Sequence, residues 1–311
     1  MMRISTAFYF QTGLNSLNRQ QGDLVHVFQQ LGSGKRMITA ADDPLAAAQA
    51  LRLGQSQSMN ARFSENREVA MRALGEEENV LMSLIPQVNE VKTRLIEVAN
   101  GTLSQTDRET IADVLVEMKK SIQGLMNAQD ANGQYLFSGS KGDTAPFEKA
   151  DVEIDGETVQ RYVYQGNESP RHIQADQTRQ IDSADNGRKL FGADEDNILN
   201  VMDRVIADLK SNKPLNEVQE SVGKGMTQVD ETYNQILTVR ASVGARMNEI
   251  EAIEDSGKMQ GLHLSSELSR LEDLDLYSAA TQLELRKVGL EAASIAFQKI
   301  QATSLFAMNS R

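Results

Sequence analysis

Apolar residues recur at helical spacing almost to both ends of this 311-residue chain. Near the start, Leu14, Gln21 and Phe28 form one seven-residue series and Leu17, Leu24 and Leu31 a second, drawing a 3-4 seam broken only by Gln21. Near the end, Leu276/Ala279, Leu283/Arg286, Leu290/Ala293 and Phe297/Ile300 line one face, with Val288, Ile295 and Ala302 widening it. A helix of about thirty residues with a single apolar stripe cannot hide that stripe alone, so each end requires a partner, either the other end or another subunit. A two-helix stem built from the ends would be narrow and would leave the cluster Ile4, Phe8, Tyr9 and Phe10 with little to cover it. The seams therefore predict an assembly protein.

Between the ends the chain organises as long helices interrupted by a compact insertion. Gly32 and Gly34 close the first seam, and Thr39, Asp42 and Asp43 ahead of Pro44 form a helix start, with proline in the first turn where its missing N–H matters little. Helical spacing then runs past Leu74, Leu81 and Leu84, with a kink or break expected at Pro86, and on through Val91, Leu95 and Val98 to Gly101. Residues 104–107 recap the helix, and Ile111, Val114, Leu115, Met118, Ile122 and Leu125 make the next apolar face. Val152, Ile154, the Asp155-Gly156 pair, Val159 and Tyr162 to Tyr164 read as a β-hairpin followed by more strand.

The expected fold is mainly α: an elongated antiparallel bundle with a coiled-coil stem formed by both chain ends and an inserted β-rich outer domain. The expected parts are terminal axial helices (1–40 with 271–311, mobile in the isolated monomer), a helical bundle (41–137 with 197–270) and the β-rich insertion (138–196). Only 5% of residues are aromatic and Trp is absent, which suits long packed helices better than one large globular core.

The chemistry the sequence offers is sparse. Cysteine is absent, which removes disulfides, thiolate catalysis and Cys-based metal sites, and a net charge of −12 argues against a nucleic-acid or anionic membrane partner. The string Gly32-Ser33-Gly34-Lys35-Arg36 lacks the first glycine and the Ser or Thr after lysine of a phosphate loop and follows a helix, so it reads as a helix-ending turn. Gly139-Ser140-Lys141-Gly142 reads as a surface turn. His26, His172 and His263 have no partner at ligand spacing, and Asp194-Glu195-Asp196 reads as a capping cluster before the helix near Ile198. Asp151, Glu153, Asp155 and Glu157 read as a solvated strand face. No cofactor, metal or catalytic residue is expected, and no leader with a cleavage site or membrane-length apolar run is seen.

Leu31-Gly32-Ser33-Gly34-Lys35-Arg36 followed by Ala40-Ala41-Asp42-Asp43-Pro44 resembles the amino-terminal signature of flagellins and their relatives, placing the family's arginine and paired aspartates at Arg36, Asp42 and Asp43. The block from Asn132 through Tyr135, Phe137, Ser138 and Gly139, with Pro146-Phe147 downstream, is similar to that of the hook-associated protein 3 family, and the 271–283 segment resembles that family's carboxy-terminal motif with a local departure at Leu276. The resemblance implies a structural adaptor joining flagellar hook to filament, in which Leu14, Leu17, Leu24, Phe28, Leu31, Leu283, Leu290, Phe297 and Ile300 pack axially. It also implies export without a cleaved signal peptide, through the flagellar export apparatus, to an extracellular place in the flagellum. The implied partners are further copies in a ring or short helical array, the other hook-associated junction protein, flagellin or the next junction layer, and a small cytoplasmic export chaperone near the carboxy terminus. The alternatives are a minor flagellin-like filament subunit and, remotely, an enzyme carried on a helical scaffold.

Overall fold

The computed structural model describes residues 2–100, 103–154, 157–192, 194–211 and 213–309, with side chains described for these apart from 2–7, 9, 100, 154, 157, 215 and 302–309. The Asp155-Gly156 pair, Gly101 and the side chains of Ile4, Tyr9, Ile154, Glu157 and Ala302 lie outside the described set. The elements run α1 (Met2–Ser33), α2 (Pro44–Asn100), α3 (Gln105–Met126), β1 (Phe147–Ile154), β2 (Glu157–Tyr164), β3 (His172–Gln174), β4 (Gln180–Asp182), α4 (Gly187–Phe191), α5 (Ile198–Lys210), α6 (Leu215–Glu272) and α7 (Leu276–Asn309). The fold is mainly helical, with the two terminal helices packed on each other and a small inserted β region. It divides into two compact units, 1–59 with 259–311 and 60–258, so α2 and α6 each contribute to both.

The 60–258 unit is a heptad bundle. Leu74, Leu81, Val88 and Leu95 of α2 repeat every seven residues with Leu84, Val91 and Val98 between them, and Val222, Val229, Ile236, Val243 and Ile250 do the same on α6; all are buried. The two helices run antiparallel, as shown by Asn60 Nδ2 to Gly257 O (2.8 Å), Arg240 Nε to Glu78 Oε1 (2.7 Å) and Lys92 Nζ to Asp230 Oδ1 (2.6 Å). Helices α3 and α5 complete the core through Ile111, Leu115, Ile122 and Met126 and through Ile198, Met202, Val205 and Leu209.

Local signals explain the helix limits. Ser104 and Asp107 form a reciprocal capping box at the start of α3. Asn197, whose side chain accepts from the Asn200 N–H at 3.0 Å, caps α5. The acidic cluster before it does something else: Asp194 accepts from the Tyr164 N–H and pairs with Arg188, and Glu195 pairs with Arg161, tying the cluster to neighbouring elements of the insertion. Pro86 does not end α2, which continues through it. Proline removes one donor and crowds the preceding turn, but Leu84 and Val88 on either side are buried in the bundle and hold the helical path.

The insertion contains two antiparallel hairpins rather than one. Strands β1 and β2 pair from Phe147 opposite Tyr164 to Ile154 opposite Glu157, in the register that places Val152 across from Val159. Strands β3 and β4, absent from the sequence reading, are too short to show a period-two pattern. Phe147, Tyr162, Ile181 and Phe191 join the same buried cluster as the helices.

Candidate functional site

The terminal pair follows from the seams. Helices α1 and α7 pack along each other, yet two helices cannot enclose a broad stripe. Leu14, Leu17, Leu24, Leu31, Leu283, Leu290 and Phe297 are half-buried, while Phe28 (68% exposed) and Ile300 (57%) face outward. Val27, on neither seven-residue series, is buried instead of Phe28. Ring contact between Phe10 and Phe297 (centroids 5.2 Å apart) and an ion pair from Arg286 Nη1 to Asp23 Oδ2 (2.7 Å) cross between the helices. Leu285, Val288 and Ile295 are exposed on α7.

The family-signature residues Arg36, Asp42, Asp43 and Pro44 close the inner end of this pair. Gly34, at φ +68° with its N–H donating to Gln30 O at 2.8 Å, ends α1 in a left-handed cap that a side chain would strain. The chain then runs antiparallel to the break between α6 and α7: Lys35 bridges to Asp273, the Leu274 N–H donates to Gly34 O (3.0 Å) and the Arg36 N–H to Glu272 O (2.7 Å). The Arg36 guanidinium donates to Leu271 O from Nε (3.2 Å) and Nη2 (3.1 Å), and from Nη1 to Asp43 Oδ2 (3.2 Å). The last carbonyls of a helix lack intrahelical donors and carry its negative dipole end, so a cation is favoured there.

Each aspartate then fixes a turn. Asp42 accepts from the Ile38 and Thr39 N–H groups at 2.8 Å, and these backbone donors hold its carboxyl below the usual range. Asp43 caps α2 by accepting from Ala46 N–H at 3.0 Å; that bond, with Arg36 beside it, lowers its pKa too. Pro44 begins α2, where its absent N–H is harmless. Lys35 bonds Glu272 Oε2 at 2.9 Å, which raises the lysine pKa. Asp275 lies just ahead of α7 and accepts from Tyr277 and Ser278, whose bonds lower its pKa. The Gly32 to Arg36 string is thus a clasp between two helix breaks, with its lysine already engaged.

The second signature block serves the interior of the other unit. Phe137 is fully buried and meets Phe191 edge-on at 5.3 Å, and Phe191 in turn meets Phe147 at 5.8 Å. The half-buried Tyr135 donates its N–H to Gly142 O at 2.8 Å. Gly139 has φ +66° and is buried, and a Cβ there would clash with Asn167 O, so the turn expected at the surface is packed at Gly139 and Gly142 and exposed at Ser140 and Lys141. The Tyr164 hydroxyl lies 2.9 Å from Phe137 O and 3.1 Å from Asn167 O, and burial pushes its pKa up to about 12. The Phe137 and Gly139 part of the block is thus buried against residues of the insertion, while Asn132, Gly133 and Gln134 ahead of it are exposed.

Among the described residues no group of three or more His, Cys, Asp or Glu side chains converges as a metal site, and no described helix is long and apolar enough to cross a membrane. His26 lies 3.9 Å from Asp42, His172 bonds Asp182 at 2.6 Å, and His263 is exposed. The sequence reading did not single out Gly13, Asp23, Val27 or the Leu271 and Glu272 carbonyls, because a backbone acceptor or a packing notch leaves no mark in residue type.

The bacterial flagellin N-terminal helical region matches residues 4–142, and the flagellin C-terminal helical region matches 226–307. Flagellar hook-associated protein 3 of Salmonella typhimurium is 29% identical over 99% of this chain and 100% of its own length, and a flagellin of Bacillus subtilis is 26% identical over 88% of each. A solved flagellar hook-associated protein from Vibrio parahaemolyticus superposes with a TM-score of 0.65 at 25% identity, covering 75% of this chain and all of that one. Two terminal helices clasped at matching breaks and an insertion anchored by the Tyr135 to Gly139 block thus coincide with end-to-end sequence similarity, and the chain matches the flagellar hook-associated protein 3 family within the flagellin superfamily.

Proposed function

We propose that this protein is a noncatalytic adaptor that joins the flagellar hook to the filament, acting outside the cell through axial packing of its terminal helix pair. The observation that carries the reading is the pair itself: α1 and α7 are aligned and clasped, yet apolar residues such as Phe28, Leu285, Val288 and Ile295 stay exposed on them. Exposed apolar surface along paired helices is what an assembling subunit requires. Similarity over the full length of hook-associated protein 3 relatives, against partial coverage of flagellins, favours the junction over the filament subunit as its place.

The residues Leu14, Leu17, Leu24, Phe28, Leu31, Leu283, Leu290, Phe297 and Ile300 form the packing stripe of this reading, and segments 1–40 and 271–311 order fully on assembly. Segments 41–137 with 197–270 form the supporting bundle and 138–196 the outer β-rich part. The partners are copies of the same chain in a ring or short helical array, the other hook-associated junction protein, and flagellin or the next junction layer. Before assembly the chain passes unfolded through the flagellar export apparatus without cleavage of a leader, held beforehand by a cytoplasmic chaperone near the carboxy terminus.

The test is genetic. A cell lacking this protein completes its hooks, retains no filaments and releases flagellin monomers into the medium. Leu290→Asp with Phe297→Asp places two charges where packing strips their hydration, and the exported double variant reproduces that phenotype. Normal filaments from an exported double variant would remove the terminal pair from the mechanism.

A further inference from the structure

The terminal pair has a register problem. Apolar residues recur with a seven-residue period on both helices, so sliding α1 along α7 by one heptad would again set apolar against apolar. Contacts of another kind must choose the alignment. Lys35 opposite Asp273 marks it in the clasp, the Asp23–Arg286 ion pair marks it farther out, and Gly13 against Phe297 marks it farther still. Passing from one contact to the next, the residue numbers fall along α1 and rise along α7 nearly in step, so all three report one antiparallel alignment.

Gly13 is the least replaceable of these. A Cβ built on it would lie 2.7 Å from Cδ2 and 3.0 Å from Cε2 of Phe297, so the phenyl ring occupies the space that a side chain would take. Phe10 also packs against that ring, with the two centroids 5.2 Å apart. Glycine is unfavourable within a helix, and a Cβ placed on Gly22 or Gly289 in the same two helices would meet nothing within 4 Å, so of these three glycines Gly13 alone makes a notch. Any slip would replace the notch by a residue with a Cβ and would also part Asp23 from Arg286.

We infer that the Gly13 notch and the Phe297 ring, supported by the Asp23–Arg286 pair, are the register key of the terminal helices. They are positioning residues: they select one alignment of α1 against α7 and so fix which apolar faces are offered to neighbouring subunits. The inference rests on the terminal pair being the assembly element.

The test uses the full chain in cells lacking their own copy, with secreted protein measured for every variant. Gly13→Val overfills the notch and lowers the number of filaments per cell by about tenfold or more. Phe297→Ala empties it and also lowers the number, while Gly13→Val/Phe297→Ala, in which the new bulk fills the vacated space, recovers filaments over either single change. The exposed pair gives a second measurement that spares packing: Asp23→Arg and Arg286→Asp each lower the number by about threefold, and the double reversal restores it.

A merely structural role would make both double variants worse than their single parents. That outcome, or wild-type filament numbers from Gly13→Val, overturns the key. Leu290→Asp/Phe297→Asp separates this from the reading beneath it: normal filaments there remove the assembly role, whereas loss there beside normal filaments from Gly13→Val removes the key alone.

Discussion

The α2 and α6 helices of the 60–258 unit and the terminal pair α1 and α7 carry the same kind of pattern and treat it differently. Leu81 and Ile236 are fully buried, as are their neighbours every seven residues, whereas Leu14, Leu24, Leu283 and Leu290 are half-buried and Phe28 and Ile300 are exposed. The first pair is covered by α3, α5 and residues of the insertion, whereas most described apolar residues of the terminal pair stay half-buried or exposed. Heptad spacing therefore specifies a helix with a sticky face, and the number of neighbouring layers determines whether that face becomes core or interface.

The largest expected difference lies between the two seams. Leu81→Ala leaves a cavity in a sealed core and costs about 3 kcal/mol of unfolding free energy, whereas Leu290→Ala on the half-open seam costs less than about 1 kcal/mol in the monomer. Denaturant unfolding of the two variants measures this, and equal losses would erase the distinction between core and interface. Next comes the turn that anchors the insertion. Gly139→Ala puts a Cβ against Asn167 O at a residue with positive φ, so it destabilises the 60–258 unit by about 2 kcal/mol and lowers its melting temperature. An unchanged melting temperature would show that the turn can relax.

A smaller effect, of opposite sign, belongs to Glu77. It occupies a buried heptad position on α2, where burial first and the nearby Asp185 second push its pKa well up; Arg246, which also pairs with Asp185, opposes the shift. Its buried Oε2 has no hydrogen-bond partner among the described residues. Because the folded pKa is raised, the native chain keeps this proton where the unfolded chain has lost it. Stability from this group is therefore greatest below the ordinary carboxylate pKa, about 4.3, and falls as pH rises from there through the folded value. Glu77→Gln removes the fall and is more stable than the parent at neutral pH, and melting temperatures taken from acid to neutral pH test the sign.

The smallest effect on the isolated monomer falls at the clasp. Arg36→Ala removes exposed bonds to Leu271 O and Asp43, so melting of the 60–258 unit stays unchanged while the amide hydrogens of Arg36 and Leu274 exchange faster. Unchanged exchange at both would mean that the backbone bridge holds the helix breaks together without the guanidinium.

The readings that succeeded from sequence depended on local chemistry. Asp43 and Pro44 start α2, Ser104 and Asp107 cap α3, and alternation around Val152 and Val159 gives β1 and β2. Those that failed depended on neighbours distant in the chain. The break that was one of two expectations at Pro86, the other being a kink, does not occur in a helix that buried Leu84 and Val88 carry through, and Gly139 was expected at a surface that Asn167 covers. Arg67 and Glu77 fall at heptad positions where a sequence reader expects leucine; the structure gives Arg67 the Ala175 carbonyl and Glu254 as partners, while Glu77 accepts from the Asp185 N–H.

The sequence by itself determined that long amphipathic helices reach both ends, where several of them start and stop, and that a hairpin interrupts them, because capping, proline placement and periodicity act within a few residues of each other. Tertiary structure alone decided which seam is sealed, that two helix breaks far apart in sequence share hydrogen bonds, and that one glycine of α1 receives a phenyl ring. Those outcomes depend on which surfaces meet and at what register, and a repeating apolar pattern leaves register open until a clasp, an ion pair and a notch close it.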